Sequence, residues 1–225
     1  MGKPDIIYED NDIIICYKPA GIATQTRRIG QQDMESFIRN YRAAKNEPPY
    51  VGIVHRLDQP VEGVMVFAKN QKAAASLSRQ IKEHTTEKYY RAASRGQGVS
   101  GAAVEDEEAW HTLTDYISFD KRTNTSKITS EKDKLAKKAV LQYRVISVTP
   151  DRDSSQNECI RTEFDIKLLT GRHHQIRLQL ANIGYPLIGD TKYGGDTARE
   201  QLALCSYKIV FDHPATGERV TFELP

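Results

Sequence analysis

Apolar positions along the chain come in short bursts separated by polar turns, and their spacing differs from burst to burst. Ile6-Ile7-Tyr8 and Ile13-Ile14-Ile15-Cys16-Tyr17 flank the polar run Glu9-Asp10-Asn11-Asp12, which predicts two strands joined by a turn. Lys18-Pro19-Ala20-Gly21 then breaks the second strand. Met34, Phe37, Ile38 and Tyr41 follow helical spacing between Asp33 and Arg42, and Asn46-Glu47-Pro48-Pro49 stops that helix. Val51–Val54 and Gly63–Ala68 are apolar and β-branched enough to be buried strands, so the polar insertion His55-Arg56-Leu57-Asp58-Gln59-Pro60 is held between two core elements.

Further along, Gln71–His84 reads as an amphipathic helix with Ala74, Leu77 and Ile81 on one side, and Lys88-Tyr89-Tyr90-Arg91-Ala92 returns to strand. Arg95–Ala109 reads as a surface loop that ends in Glu105-Asp106-Glu107-Glu108 and separates two strand-rich halves. Ala139–Val148 and Arg161–Leu169 predict strands around a polar loop at Pro150–Glu158. Ile176, Leu180 and Ile183, with Gly184 just beyond, predict a helix of about three turns. Tyr207–Phe211 and Arg219–Leu224 predict a closing hairpin. Strands dominate without a regular βαβα rhythm, so the expected fold is α+β, a mixed and mostly antiparallel sheet with peripheral helices, forming a single domain over residues 1–225.

Composition narrows the classes. With 225 residues, 39% hydrophobic and 28% charged, the chain can bury a core. Its apolar runs fall well short of the roughly 18 residues of a membrane span, and Met1–Asp12 carries no secretory signal core, so a cytoplasmic protein without membrane association is expected. Cys16, Cys159 and Cys205 are odd in number and widely spaced, which fits buried small hydrophobes better than disulfides or a zinc element. The net charge of +2 is uninformative, but cations concentrate between Lys72 and Arg95 and between Lys121 and Lys138, two segments able to attract phosphate.

Gly96-Gln97-Gly98-Val99-Ser100-Gly101 matches the letters of a dinucleotide fingerprint but lacks its strand-to-helix context and is followed by acidic residues. The six histidines lack metal-ligand spacing, and no Walker loop or Gly-x-Ser-x-Gly elbow occurs. No cofactor and no metal are expected. That leaves Asp58, a carboxylate between apolar strands beside Arg56, which needs a cation to stay ionised. Arg177, early in an apolar helix, needs an anion, and Asp58 is the expected counter-ion.

Three segments carry a resemblance. HRLDQPVEGVMVFAK (His55–Lys69), Lys88-Tyr89-Tyr90-Arg91-Ala92 and GRHHQIRLQLANIGYPLIGDTKYG (Gly171–Gly194) are similar to the three motifs of the RluA-type pseudouridine synthases. The opening IIYEDNDIIICYKPAGI and the closing LALCSYKIVFDHPATGERVTFELP resemble that family's first strands and last hairpin, so the likeness spans nearly the whole chain. It implies isomerisation of uridine to pseudouridine in structured ribosomal or transfer RNA stem-loops, without a cofactor, by a monomer.

The resemblance makes Asp58 the essential carboxylate, attacking the anomeric carbon or assisting a glycal route. It makes Tyr90 the tyrosine against the target base and Arg177 the partner of the aspartate. Arg56 becomes the residue that fills the place of the extruded nucleotide, and His55, Arg172, His174 and Gln175 become RNA-contacting residues. Because the resembling opening segment begins close to Met1, at Ile6, recognition without a separate N-terminal RNA-binding module is expected. Two departures stand out. Val61-Glu62 replaces the family's common Thr-Ser before Gly63, and His173 stands where Thr often precedes His-Gln-Ile-Arg. A non-catalytic RNA-binding or chaperone protein of the same fold is the alternative, and a metal-dependent nuclease lacks its cation site.

Overall fold

A computed structural model describes residues 3–26, 28, 30–95, 109–152, 158–194 and 200–225. The Gly96–Gly101 fingerprint and the acidic run Glu105–Glu108 lie outside the described residues. In chain order the elements are β1 (Asp5–Glu9), β2 (Ile13–Lys18), α1 (Met34–Ala44), β3 (Gly52–Ile53), β4 (Glu62–Ala68), α2 (Gln71–Lys82), β5 (Glu87–Ser94), β6 (His111–Asp120), β7 (Thr125–Thr129), β8 (Lys137–Arg152), β9 (Glu158–Leu168), α3 (Gln175–Asn182), β10 (Leu204–Asp212) and β11 (Arg219–Glu223). They group into two compact units, Met1–Lys88 with Ser206–Pro225 and Tyr89–Cys205.

In the first unit the strands run β1-β2-β4-β10, with β11 on β10 and β3 on β4. β2 and β4 are antiparallel with Ile15 opposite Val66 and Lys18 opposite Gly63. Side chains alternate along a strand, so Ile13, Ile15, Val64, Val66 and Ala68 share one face. There they cluster with Ile209 and Phe211 of β10 and with Ala73 and Leu77 of α2. The intervening Ile14, Cys16, Met65 and Phe67 are also fully buried, so both faces of these strands are covered.

α1 starts at Asp33, whose carboxylate accepts from Ser36 N at 2.8 Å while Ser36 Oγ accepts from Asp33 N at 3.0 Å, a reciprocal cap. α2 starts at Asn70 through Asn70 Oδ1 and Ala73 N at 2.9 Å. Its buried stripe is Ala73, Leu77 and Gln80, one position off the expected Ala74 and Ile81 edge, because the Gln80 amide both donates to Asp212 O and accepts from Asp212 N.

The second unit carries the run β5-β9-β8-β6-β7. Its core includes Leu141, Tyr143, Val145, Phe164, Ile166, Ile176, Leu180 and Tyr185. Here the pattern reading needs correction. β8 continues through Pro150 to Arg152, with Pro150 opposite Ile160 and Arg152 opposite Glu158, so much of the expected polar loop is a paired ribbon. The β6–β7 hairpin was absent from the pattern because only Ile117, Ser118 and Ser126 of its strands are buried. α3 is eight residues long, little more than two turns, and ends before Gly184, which has φ of 85°.

The ladders with described registers are antiparallel, and with three helices among the described residues the architecture is the expected mixed α+β fold. Cys16 is buried, whereas Cys159 and Cys205 are only partly so. Among the described residues no helix is long and apolar enough to cross a membrane.

Candidate active site

The predicted site residues fall into two sets. His55, Arg56 and Asp58 belong to the first unit, and Tyr90, Arg172, His174, Gln175 and Arg177 to the second.

Asp58 lies on the loop from β3 to β4, and protein groups grip the backbone on each side of it. Before it, Thr24 Oγ1 donates to Leu57 O at 2.9 Å and accepts from Leu57 N at 3.1 Å. After it, Gln59 O accepts from Gly21 N at 2.8 Å and from Lys18 Nζ at 3.2 Å. Asp58 O itself accepts from Val61 N at 3.0 Å, closing the turn. A loop with its peptide groups satisfied this way holds its carboxylate in one place, which chemistry at a fixed sugar requires.

Lys18 is the residue that sequence reasoning undervalued. It ends β2, it is fully buried, and its ammonium donates to Pro19 O, Ile22 O and Gln59 O. Burial pushes the ammonium down to about 8, against the pull of the Asp58 and Glu62 carboxylates. At neutral pH a positive charge therefore underlies the Asp58 loop. The signal was a lysine closing an otherwise apolar strand, which reads equally well as the polar residue that breaks it.

The neighbouring residues of the loop differ in exposure. Arg56 is exposed. His55 Nε2 accepts a hydrogen bond from Val66 N of β4 at 3.1 Å, and burial with the nearby Lys88 charge pushes the imidazole down to about 3. His55 is thus neutral and serves to join the loop to its strand. Glu62, the departure from the family pattern, accepts from Tyr17 Oη at 2.7 Å, so the added carboxylate has a built partner. Gly63, with φ of 138°, leaves room for the β10 backbone, since a Cβ there would lie 2.3 Å from Ser206 O.

In the second unit Tyr90 points from β5, opposite Ile166 of β9, and is 6% exposed. Arg177 has a partner within its own unit that the pattern did not single out. Its guanidinium is bidentate on Asp190, Nε to Oδ2 at 2.8 Å and Nη2 to Oδ1 at 2.7 Å, with the two residues 4% and 0% exposed. Asp190 Oδ1 also accepts from Lys192 N and Tyr193 N. Burial alone would push the Asp190 carboxyl up; the Arg177 guanidinium and these amides hold it below the usual range. A counter-ion of Arg177 is therefore Asp190, thirteen residues along the chain and present in the Gly171–Gly194 motif.

The RNA-contacting expectations in this unit divide as well. Gln175 is buried and its amide is committed inward: Oε1 accepts from Thr170 Oγ1 and Arg172 N, and Nε2 donates to Gln179, which in turn donates to Asp115. It is a positioning residue for the Gly171-Arg172 loop. His174 adopts a left-handed conformation, φ 54°, and its Nδ1 bonds Tyr193 Oη at 2.9 Å. Burial, reinforced by the Arg177, His173 and Lys192 charges, pushes it down to about 3, so it too is neutral. Arg172 donates through Nε to Lys138 O at 2.8 Å. Among the described residues no three His, Cys, Asp or Glu side chains cluster as metal ligands.

The family model for RNA pseudouridylate synthase matches residues 12–182. The chain is 33% identical over 227 residues to an uncharacterized RNA pseudouridine synthase, YhcT, of Bacillus subtilis, covering 100% of this chain and 69% of that one. It is 32% identical to ribosomal large subunit pseudouridine synthase D of Pseudomonas aeruginosa, covering 98% and 68%. The Neisseria meningitidis protein of the same name is 30% identical, covering 98% of this chain and 58% of that one. The chain thus spans between 58% and 69% of the length of these curated relatives.

Among solved structures, human RNA pseudouridylate synthase domain containing 1 superposes with a TM-score of 0.75 at 24% identity, over 99% of this chain and 83% of that one. Human RNA pseudouridylate synthase domain containing 4 gives 0.73 at 18%, over 98% and 87%. These two show a shared fold. With the family match covering most of its length, the chain belongs to the RNA pseudouridylate synthase family.

Proposed function

We propose that the protein isomerises uridine to pseudouridine in structured ribosomal or transfer RNA, with Asp58 as the reacting carboxylate. The observation that carries this reading is the clamp on the Asp58 loop, with Thr24 on one side and the buried Lys18 ammonium on the other. Such a scaffold fixes an anion beside a cation without spending that cation on a bidentate salt bridge. The reaction breaks the bond between ribose C1′ and uracil N1 and forms one between C1′ and C5. Positive character grows on the sugar as the base leaves, and a fixed carboxylate stabilises it, as nucleophile at C1′ or as the group that receives the 2′ proton. The C5 proton is released and N1 ends protonated, so the product is an isomer and no redox partner is consumed.

Tyr90 serves as the aromatic group against the target base, and Arg56, exposed on the Asp58 loop, as the planar cation that replaces the turned-out nucleotide in the stack. Arg177 contributes through Asp190 by fixing the start of α3 to the segment after it. The relatives named as ribosomal large subunit synthases support an RNA substrate, with ribosomal RNA the first class to examine.

The test is incubation of the protein, without added metal, with total RNA from cells lacking it, followed by pseudouridine mapping. New pseudouridine at one or a few positions, abolished by Asp58→Asn, is the expected result. RNA binding with no new pseudouridine would instead establish the non-catalytic alternative.

A further inference from the structure

Where the family commonly carries a hydroxyl, this chain carries His173, and the structure builds around it. His173 stacks on His174 with ring centroids 3.7 Å apart and an interplanar angle of 29°. Phe119, near the end of β6, also packs against His173, at 4.3 Å and 49°. The column is anchored from β7. Ser126 Oγ lies 3.0 Å from His173 Nδ1 and donates to His173 O at 2.9 Å, and Ser126 N donates to Tyr193 Oη at 2.8 Å. Tyr193 Oη in turn bonds His174 Nδ1. Three rings are thereby held before any ligand arrives, and the outermost, Phe119, remains 39% exposed.

The surroundings of this ring are cationic. Phe119 is paired across the hairpin with Ser126, one step from the turn that carries Lys121 and Arg122, both exposed and in no salt bridge among the described residues. Lys127, within β7, is exposed, and its charge acts on the Asp120 and Asp133 carboxyls. Lys192 reaches the same turn, donating to Asn124 O at 2.5 Å. A large apolar ring left open at the tip of a hairpin loses hydration free energy unless something covers it. An aromatic face on a hairpin that also carries exposed cations suits an unpaired nucleotide, whose base stacks on the ring while its phosphates meet the cations.

We propose that Phe119, backed by His173, is a specificity-determining stacking platform for one unpaired base of the substrate RNA, with Lys121, Arg122 and Lys192 taking the adjacent phosphates. A fully paired duplex has no base to offer this ring, so the platform selects loops and bulges over helices. The proposal rests on the reading that the ligand is RNA.

The experiment uses the full chain and a set of RNA hairpins carrying 2-aminopurine at successive loop positions, beside a fully paired duplex of equal length. Fluorescence quenching at one loop position on binding to the wild type is expected, because stacking on the ring quenches that base. Phe119→Leu keeps apolar bulk but removes the aromatic face, so hairpin affinity should fall roughly ten-fold while duplex affinity holds, and Phe119→Tyr should restore it. His173→Thr removes the backing ring and should weaken the hairpin selectively.

Equal binding of hairpin by wild type and Phe119→Leu, or equal loss for hairpin and duplex, would overturn the proposal, as would the absence of any quenching with the wild type. Pseudouridine mapping on the same preparations separates the two readings. Quenching without pseudouridine overturns the activity alone, and pseudouridine with no quenching overturns the platform alone.

Discussion

Arg177→Ala removes the counter-charge from Asp190, a carboxylate with no exposed surface. What remains are backbone donations from Lys192 and Tyr193 to one oxygen, while Oδ2 loses its charged donor. Breaking a buried ion pair by deleting one partner costs about 3–5 kcal/mol, since the surviving charge stays desolvated. For a chain of this length 1 kcal/mol moves the melting midpoint by roughly 2–4 °C, which places the loss at about 6–20 °C. Circular dichroism melts of wild type and Arg177→Ala at pH 7 measure it directly. The double variant Arg177→Met with Asp190→Leu should recover most of the loss, because apolar residues of similar volume can replace a buried pair at little cost. A midpoint for Arg177→Ala within 2 °C of wild type, with turnover nevertheless abolished, would refute this reasoning and return Arg177 to direct action on the substrate.

Other outcomes follow from the first unit. Lys18 has a depressed folded value of about 8, so activity should fall above that pH as the cation beneath the Asp58 loop is lost; a rate profile flat to pH 10 would contradict it. The stability effect has the opposite sign: between about pH 8 and 10.5 the unfolded chain binds more protons at this site, so wild-type stability should rise relative to Lys18→Met over that window, as denaturant titrations would show. Gly63→Ala forces a Cβ into the Ser206 backbone at a positive φ and should cost roughly 3 kcal/mol or more; an unchanged denaturation midpoint would contradict the close approach.

The buried strands were readable because β2 and β4 are uninterrupted apolar runs and because α1 and α2 each start at a side-chain cap. The β6–β7 hairpin was not, since Thr112, Thr114, Asp115 and Ser118 dilute any alternation and its inward face is covered by few apolar groups. Asp58 stood out because a carboxylate between core strands demands an account. Its support did not: Thr24 and Lys18 act through backbone groups, which leave no complementary residue type in the sequence. That Asp190 pairs with Arg177 emerged from geometry alone, since Asp58 and Asp190 are both carboxylates within conspicuous motifs. Gln175 looked like a surface contact for a similar reason, and only the chain of amides to Gln179 and Asp115 reveals its inward role.

The most direct measurement of the central claim is release of tritium to water from RNA labelled at uridine C5, under single-turnover conditions with enzyme in excess. Forming the bond from C1′ to C5 expels that hydrogen, so the wild type should release label while Asp58→Asn, folded and still binding RNA, releases none. Release by Asp58→Asn at the wild-type rate, or none by the wild type on any cellular RNA fraction, would contradict the assignment of this carboxylate to the isomerisation.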